Sequence, residues 1–327
     1  MKILYAAGNS YNSQIQLRRF LNAIENNKNY TIKIAAFKKS SPPYINIDWT
    51  LDCMLNMFNP ESTALDYNDN FSLYFNMVKD YNPNLIISDM EYFTSDIANT
   101  LGITLWQCSS SIINFALSFD YKYQLGIFKQ YSFLFNRNPI HTQRITNILE
   151  NSDKIFIYSH FGDTAAAPIL KSNYEWIRPY HMIGKNSSPC HHNIVGASLK
   201  NDKQLISIIK NYNDSVFFSP FPFEKYGQIL MKSIENSEEY YCNIKNSNIF
   251  VCSGQTSFLA DAFYNNKYSA ILYDVTDSES VLNGIISNNL KLSCQINDLS
   301  ILNDNYIECN INNNIKYLHQ KVDELDI

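Results

Sequence analysis

The sequence predicts an α/β protein of two doubly wound, Rossmann-like domains facing a cleft, and three observations predict it. Short continuous apolar runs such as "KILYAA" (2–7) and "NLIISD" (84–89) read as parallel strands buried on both faces. Segments of helical spacing alternate with them, which is the pattern of βαβ units. The length, 327 residues, exceeds the size at which one core usually stops growing.

The elements follow in order. "KILYAA" ends at Gly8, and residues 13–25 place Ile15, Phe20, Leu21 and Ile24 near helical spacing. "YTIKIAAF" (30–37) is a second strand, and a polar loop with prolines (38–48) follows. Residues 66–81 read as a helix ending before Pro83. "NLIISD" is the third strand, 93–102 a helix with Gly102 in the C-terminal position, and "ITLWQCS" (103–109) the fourth strand. The aromatic segment 111–136 and residues 139–151 read as helical, and "KIFIYS" (154–159) as the fifth strand. Residues 160–200, with three prolines and three glycines, read as a linker. The α/β rhythm then resumes. Strands are expected at 215–220, 239–244, 248–253, 268–274 and 290–294, and helices at 224–235, 257–264, 278–288 and 314–325. The division falls at 1–185 and 186–327.

Composition narrows the partners. Apolar residues make up 45%, enough for two cores, and the net charge of −5 gives no overall basic footprint for nucleic acid. Arg18, Arg19, Lys28, Lys33, Lys38 and Lys39 cluster early, as a solvated surface or a local basic face. Seven dispersed cysteines with no C-x-x-C suggest a reducing compartment. No run of 18 apolar residues occurs, and the opening "MKILYAAGNS" is too quickly polar for a signal peptide. A cytoplasmic protein is expected. "CHH" (190–192) invites a zinc reading, but adjacent side chains do not easily share one ion, so no metal is expected.

In open parallel sheets, ligands bind beyond the carboxyl ends of the strands. The loops there are Gly8–Ser13, Ser88–Tyr92, Ser109–Ser111, Ser253–Ser257 and Asp274–Ser280, all polar. "SGQTS" (253–257) stands out in a chain with nine glycines. It offers a glycine for close backbone approach and hydroxyls at a helix amino terminus, where anions bind. An ordinary turn with a capped helix has the same residues. Neither G-x-x-x-x-G-K-[ST] nor G-x-G-x-x-G is present.

The order of pieces sharpens this reading. "CSGQTSFLADAFYNNKYSAILYDVTDSESVLNGIISNNL" resembles the donor-binding half of GT-B glycosyltransferases, in particular the peptidoglycan N-acetylglucosaminyltransferase and UDP-glycosyltransferase group. "ILYAAGNSYNSQIQLRRFLNAI" and "PNLIISDMEYFTSDIANTLGITLWQ" are similar to its acceptor-side half. The resemblance implies an acceptor-side domain at 1–185 and a nucleotide-sugar domain at 186–327. It implies that Gly254, Gln255, Thr256 and Ser257 hold the nucleotide phosphates, Asp261 the ribose, and Asp277 and Glu279 the sugar. Gly8, Asn9, Ser10, Asn12 and Ser13 would form the acceptor-side loop. That loop lacks the His that often serves this family as base, and Gln255 stands where small residues are usual.

Asp89, Glu91 and His160, at predicted strand ends, are then the candidate bases. Asp89 could equally cap the helix after it, and Glu91 could be a surface residue. The activity implied is transfer of a hexosyl or pentosyl group from a nucleotide sugar, with UDP the expected nucleotide. The acceptor is a hydroxyl of a glycan, lipid-linked sugar or small molecule. Inversion without a metal cofactor is expected, because helix dipoles and donors can offset the leaving charge. Three alternatives stand beside it: a phage-type enzyme glycosylating hydroxymethylated DNA bases, a sugar-nucleotide hydrolase or epimerase, and a non-catalytic sugar-nucleotide binder.

Overall fold

The computed structural model describes residues 1–8, 11–25, 29–37, 47–51, 64–126, 139–181, 184, 192–198, 203–220, 229–234, 237–272, 277–295 and 314–325. The first sheet has seven strands: β1 (Lys2–Ala6), β2 (Thr31–Phe37), β3 (Trp49–Leu51), β4 (Leu85–Ser88), β5 (Thr104–Cys108), β6 (Lys154–Tyr158) and β7 (Tyr174–Ile177). All pair in parallel in the order β3-β2-β1-β4-β5-β6-β7. The second sheet has six: β8 (Ile194–Ala197), β9 (Ser215–Ser219), β10 (Leu230–Ser233), β11 (Ile249–Cys252), β12 (Ser269–Ile271) and β13 (Ser293–Gln295). Its order is β10-β9-β8-β11-β12-β13, again parallel. Both sheets therefore reverse direction beside their first strand, the first between β1 and β4 and the second between β8 and β11. Such switch points open a crevice beyond the strand ends.

Strand alternation explains the two-sided burial of the first sheet. Ile3 and Tyr5 of β1, Leu85 and Ile87 of β4, and Trp106 of β5 face α1 (Tyr11–Ile24) through Leu17, Phe20 and Ile24. Leu4, Ile86 and Leu105 face the other way. They meet Tyr74, Val78 and Tyr81 of α2 (Ala64–Tyr81) and Phe93, Ile97 and Ala98 of α3 (Tyr92–Leu101). Gly102 closes α3 at φ 67°, as its position predicts. The aromatic segment after β5 forms two short helices, α4 (Ile113–Ala116) and α5 (Phe119–Gln124), with 127–138 outside the described residues. α6 (Pro139–Glu150) precedes β6.

The stretch 160–200 is more than a linker. It contributes a 3₁₀ turn (His160–Asp163), β7 at the edge of the first sheet and β8, the first strand of the second sheet. The helix expected at 224–235 is replaced, where described, by β10, and the strand expected at 239–244 is part of a helix, α8 (Ser237–Asn246). Ser237, Glu238 and Glu239 sit at its start and Lys245 at its end, which suits the helix dipole. α7 (Lys203–Ile209) covers the opposite face of the second sheet through Leu205, Ile206 and Ile209. The chain finally returns to the first domain. Leu318 and Val322 of α11 (Leu318–Asp323) pack in its core beside Ile3 and Phe20.

Two helices of the second domain are inserted into the interface, α9 (Thr256–Tyr264) and α10 (Ser278–Asn289). All nine residues of α9 are buried, so it has no solvent face. Leu282 and Ile286 of α10 join the cluster built by Ile113 and Ala116 of α4. Arg19 of α1 crosses to Asp261 of α9 with both terminal nitrogens, at 3.2 and 3.1 Å, and also donates to the Tyr180 carbonyl and the Tyr241 hydroxyl. Arg178 makes a second bidentate pair with buried Asp163, at 2.9 and 2.7 Å, and the Tyr264 hydroxyl donates to the same carboxylate. The early basic cluster is thus partly internal. Arg19 is an interface residue, and Lys33 lies over the Trp49 and Tyr81 rings. Lys28, Lys38 and Lys39 lie outside the described residues.

Removing one partner of a buried pair strands the other charge. Arg19→Met is expected to cost about 3–5 kcal/mol in urea unfolding, and Arg19→Met with Asp261→Leu to recover most of that. A single-variant loss below about 1 kcal/mol would show that the pair behaves like an exposed one.

Candidate functional site

Three first-domain strands bring their carboxyl ends to one place. Asp89 follows β4, Gly8 lies just beyond β1, and Ser109 follows β5. The Asp89 carboxylate is buried and accepts from the hydroxyls of Ser109 and Ser13. A Cβ on Gly8 would stand 2.8 Å from the Asp89 carbonyl and the Ser13 hydroxyl, so the glycine is what lets these groups meet. Burial raises the pKa of Asp89 to about 6 against the lowering effect of the two serines.

The turn carrying Asp89 is held from several sides. Met90 has φ 56°, a left-handed value uncommon for a non-glycine residue. Its N–H donates to Gln107 Oε1 at 3.2 Å, and Gln107 Nε2 donates to Ser95 at 2.8 Å. The Glu91 N–H donates to the Ser88 hydroxyl at 3.0 Å. Glu91 itself caps α3, accepting from the N–H groups of Phe93 and Thr94 at 3.0 and 2.7 Å. Glu91, a candidate base with a surface position as its alternative, is therefore the buried cap, and Asp89, for which capping was an equal alternative, is left beside the serines. Both Glu91 oxygens are committed to α3, which makes it a support for the turn.

His160 is also sealed in. It is 2% exposed, with Phe161 and Phe263 ring centroids at 4.3 and 5.3 Å, and its Nδ1 has no partner. Burial alone lowers its pKa to about 3. Asp261 does not reach the crevice either, because α9 turns it onto Arg19 at full burial. The ribose role implied by resemblance would require this pair to open. Ser257 likewise faces the first domain, where its hydroxyl accepts from Gln16 at 3.2 Å.

The second-domain turn is tightly built. Gly254 has φ 78°, and a Cβ there would lie 2.8 Å from the Ser280 hydroxyl. The glycine therefore answers both a left-handed backbone and the close approach of α10. The Ser280 hydroxyl donates to the Ser253 carbonyl at 2.6 Å, and Asn283 Nδ2 reaches the Gly254 carbonyl at 3.1 Å and Thr256 Oγ1 at 3.0 Å. Gln255 is the N-cap of α9 without capping it, since its Oε1 accepts from Ser253. Asp277 caps α10 by accepting from the Glu279 N–H at 3.0 Å. The half-buried Glu279 carboxylate accepts from Thr256 Oγ1 at 3.0 Å, from the Thr256 N–H and from Ser110 of the first domain. Burial, then the charge of Asp277, raises its pKa to about 7.

The two domains thus meet at consecutive serines. Ser109 holds Asp89 and Ser110 holds Glu279. Arg19, Gln16 and Arg178 carry no local sequence signal as site residues, because each pairs with a residue from another element, up to 242 positions away. Asn9 and Ser10 fall outside the described residues, and Asn12 lies in the first turn of α1. Among the described residues, no group of three or more His, Cys, Asp and Glu is arranged to hold a metal ion. His192 pairs with Asp214 at 2.9 Å, and Cys190 and His191 lie outside the described residues. Within the same residues, no helix is long and apolar enough to cross a membrane.

No protein-family model matches the sequence, and no curated protein does. Solved structures match the fold. Spinosyn Forosaminyltransferase SpnP aligns with TM-score 0.58 at 11% identity, over 93% of this chain and 87% of that one. Spinosyn Rhamnosyltransferase SpnG gives 0.58 at 10%, over 91% and 86%. A UDP-glucosyltransferase from Polygonum tinctorium gives 0.56 at 10%, over 90% and 84%. The chain has the GT-B fold of these glycosyltransferases, as the order of its sequence elements implied.

The buried histidine carries a pH prediction. In the unfolded chain His160 protonates near the ordinary value of about 6.5, while the folded ring resists until about 3. The unfolded state therefore binds the extra proton in that window, and His160 lowers stability as pH falls through it. His160→Phe is expected to lose less stability than the parent between about pH 7 and pH 5, read as urea midpoints. Parallel losses in the two proteins would contradict the assignment.

Proposed function

We propose that the protein is a glycosyltransferase moving a sugar from a nucleotide sugar to an acceptor hydroxyl, with Asp89 as the base. The observation that carries the reading is the meeting of Asp89 and the amino terminus of α9 across Ser109 and Ser110. One end of that arrangement supplies a carboxylate, and the other supplies the positive end of a helix dipole. The acceptor oxygen attacks the anomeric carbon and passes its proton to Asp89, while the bond from that carbon to the diphosphate breaks. The electron pair leaves with the nucleoside diphosphate, whose charge α9 offsets. A single displacement of this kind inverts the anomeric centre.

The finer assignments rest on resemblance and chemistry. The sequence resemblance to the peptidoglycan and UDP-glycosyltransferase group favours a UDP donor, and SpnG, solved with thymidine diphosphate, makes TDP the second choice. Buried cysteines outside any disulfide, Cys108, Cys242 and Cys252, suit a reducing, cytoplasmic setting.

A panel of UDP-, TDP-, GDP- and ADP-sugars should include one that raises the melting temperature, since a ligand bound only by the folded state stabilises it. No shift with any of them at saturating concentration would contradict a donor site. With the stabilising donor and an acceptor panel, Asp89→Asn should lower the transfer rate by about 10²–10⁴-fold while keeping the donor shift. The parent rate should fall as pH drops through about 6, where Asp89 takes up its proton and no longer accepts one. Donor binding without transfer to any acceptor would favour a non-catalytic binder.

A further inference from the structure

The amino terminus of α9 already carries an anion. Gln255 leaves that helix without a side-chain cap of its own, and Glu279 supplies one from α10. Its carboxylate takes the Thr256 N–H and hydroxyl together, and Ser110 adds a donor from the first domain. Asn283 fixes the far side of Thr256, and its Oδ1, on a side chain 1% exposed, has no partner. A carboxylate seated there uses the same free N–H group and the same dipole end as a phosphate would. Two anions cannot share that seat without strong repulsion.

We propose that Glu279 is a built-in competitor for the donor: a nucleotide-sugar diphosphate enters the amino terminus of α9 only when Glu279 leaves it or takes up a proton. The inference rests on the glycosyltransferase reading and adds a regulation to that site. Among the described residues, Asp277, the cap of α10, is a charged group facing Glu279. From the α9 turn come the uncharged Thr256 and Asn283, and from the first domain Ser110 and the apolar side chains of α4. Asp89 is held on Ser109, the neighbouring serine. The repulsion from Asp277 and the burial of Glu279 both favour its protonated form, so the exchange falls in the neutral range. Lower pH neutralises the competitor and should strengthen donor binding.

The test is calorimetric titration with UDP-, TDP-, GDP- and ADP-glucose, whose diphosphate diesters do not themselves titrate near neutrality. For the donor that binds, affinity is expected to be about tenfold tighter near pH 6 than near pH 8. Binding near neutral pH should take up a substantial fraction of one proton, read from the heats in two buffers of different ionisation enthalpy. Glu279→Gln should bind about tenfold tighter than the parent near pH 8 and lose the pH dependence. Equal affinity of the parent and Glu279→Gln near pH 8 overturns the competitor and leaves the donor site standing. Weaker binding by Glu279→Gln at every pH also overturns it, since Glu279 would then be helping the donor. No binding of any of the four sugars by either protein at millimolar concentration overturns both readings. If the variant does not fold, proton uptake by the parent decides the matter.

Discussion

The ion pair between Arg19 and Asp261 is the interaction on which the arrangement of the two domains depends. Both side chains are largely out of water, and each would be costly to bury alone. Their pairing requires α9 to lie against α1, so that its first residues face the first-domain strand ends. The pair of Asp163 with Arg178, joined by Tyr264, holds the last turn of the same helix, and Gln16 holds Ser257 at its start. A helix pinned at both ends and buried throughout has little freedom to shift. The two switch points are therefore held together as parts of one crevice.

Within that crevice, burial works on two carboxylates in the same direction. Asp89 and Glu279 both have raised pKa values, from desolvation first of all. Their surroundings differ in use. Asp89 sits among serine hydroxyls on a turn stiffened by Ser88, Glu91 and Gln107, which suits a group that must receive a proton in one place. Glu279 sits on the positive end of a helix, which is where an incoming diphosphate would be drawn. One raised carboxylate thus fits the proposed chemistry, and the other opposes the proposed ligand until it moves or is neutralised.

Much of the fold was legible because parallel strands buried on both faces leave continuous apolar runs, as in "KILYAA" and "NLIISD". Residues 239–244 misled because Tyr240, Tyr241 and Ile244 favour strands in isolation, whereas the acidic start and Lys245 near the end carried the helix signal. Gly8, Asp89, Gly254 and Glu279 were legible as strand-end or helix-start residues. Asp261 was legible as the acid of this helix but not as the partner of Arg19, because 242 positions separate them and no local pattern records the contact. Gln255 became intelligible only in three dimensions: it turns back on Ser253, and a residue from another helix caps α9 in its place.

In the proposed complex, α9 presents its amino terminus to a nucleotide-sugar diphosphate opposite Asp89. A crystal structure of the protein with the nucleotide sugar that stabilises it most tests this directly. Diphosphate oxygens are expected within hydrogen-bond distance of the Gly254–Ser257 backbone, with Glu279 displaced or protonated and the anomeric carbon on the side of Asp89. A nucleotide sugar bound away from the α9 amino terminus, with Glu279 still seated on Thr256, would contradict it.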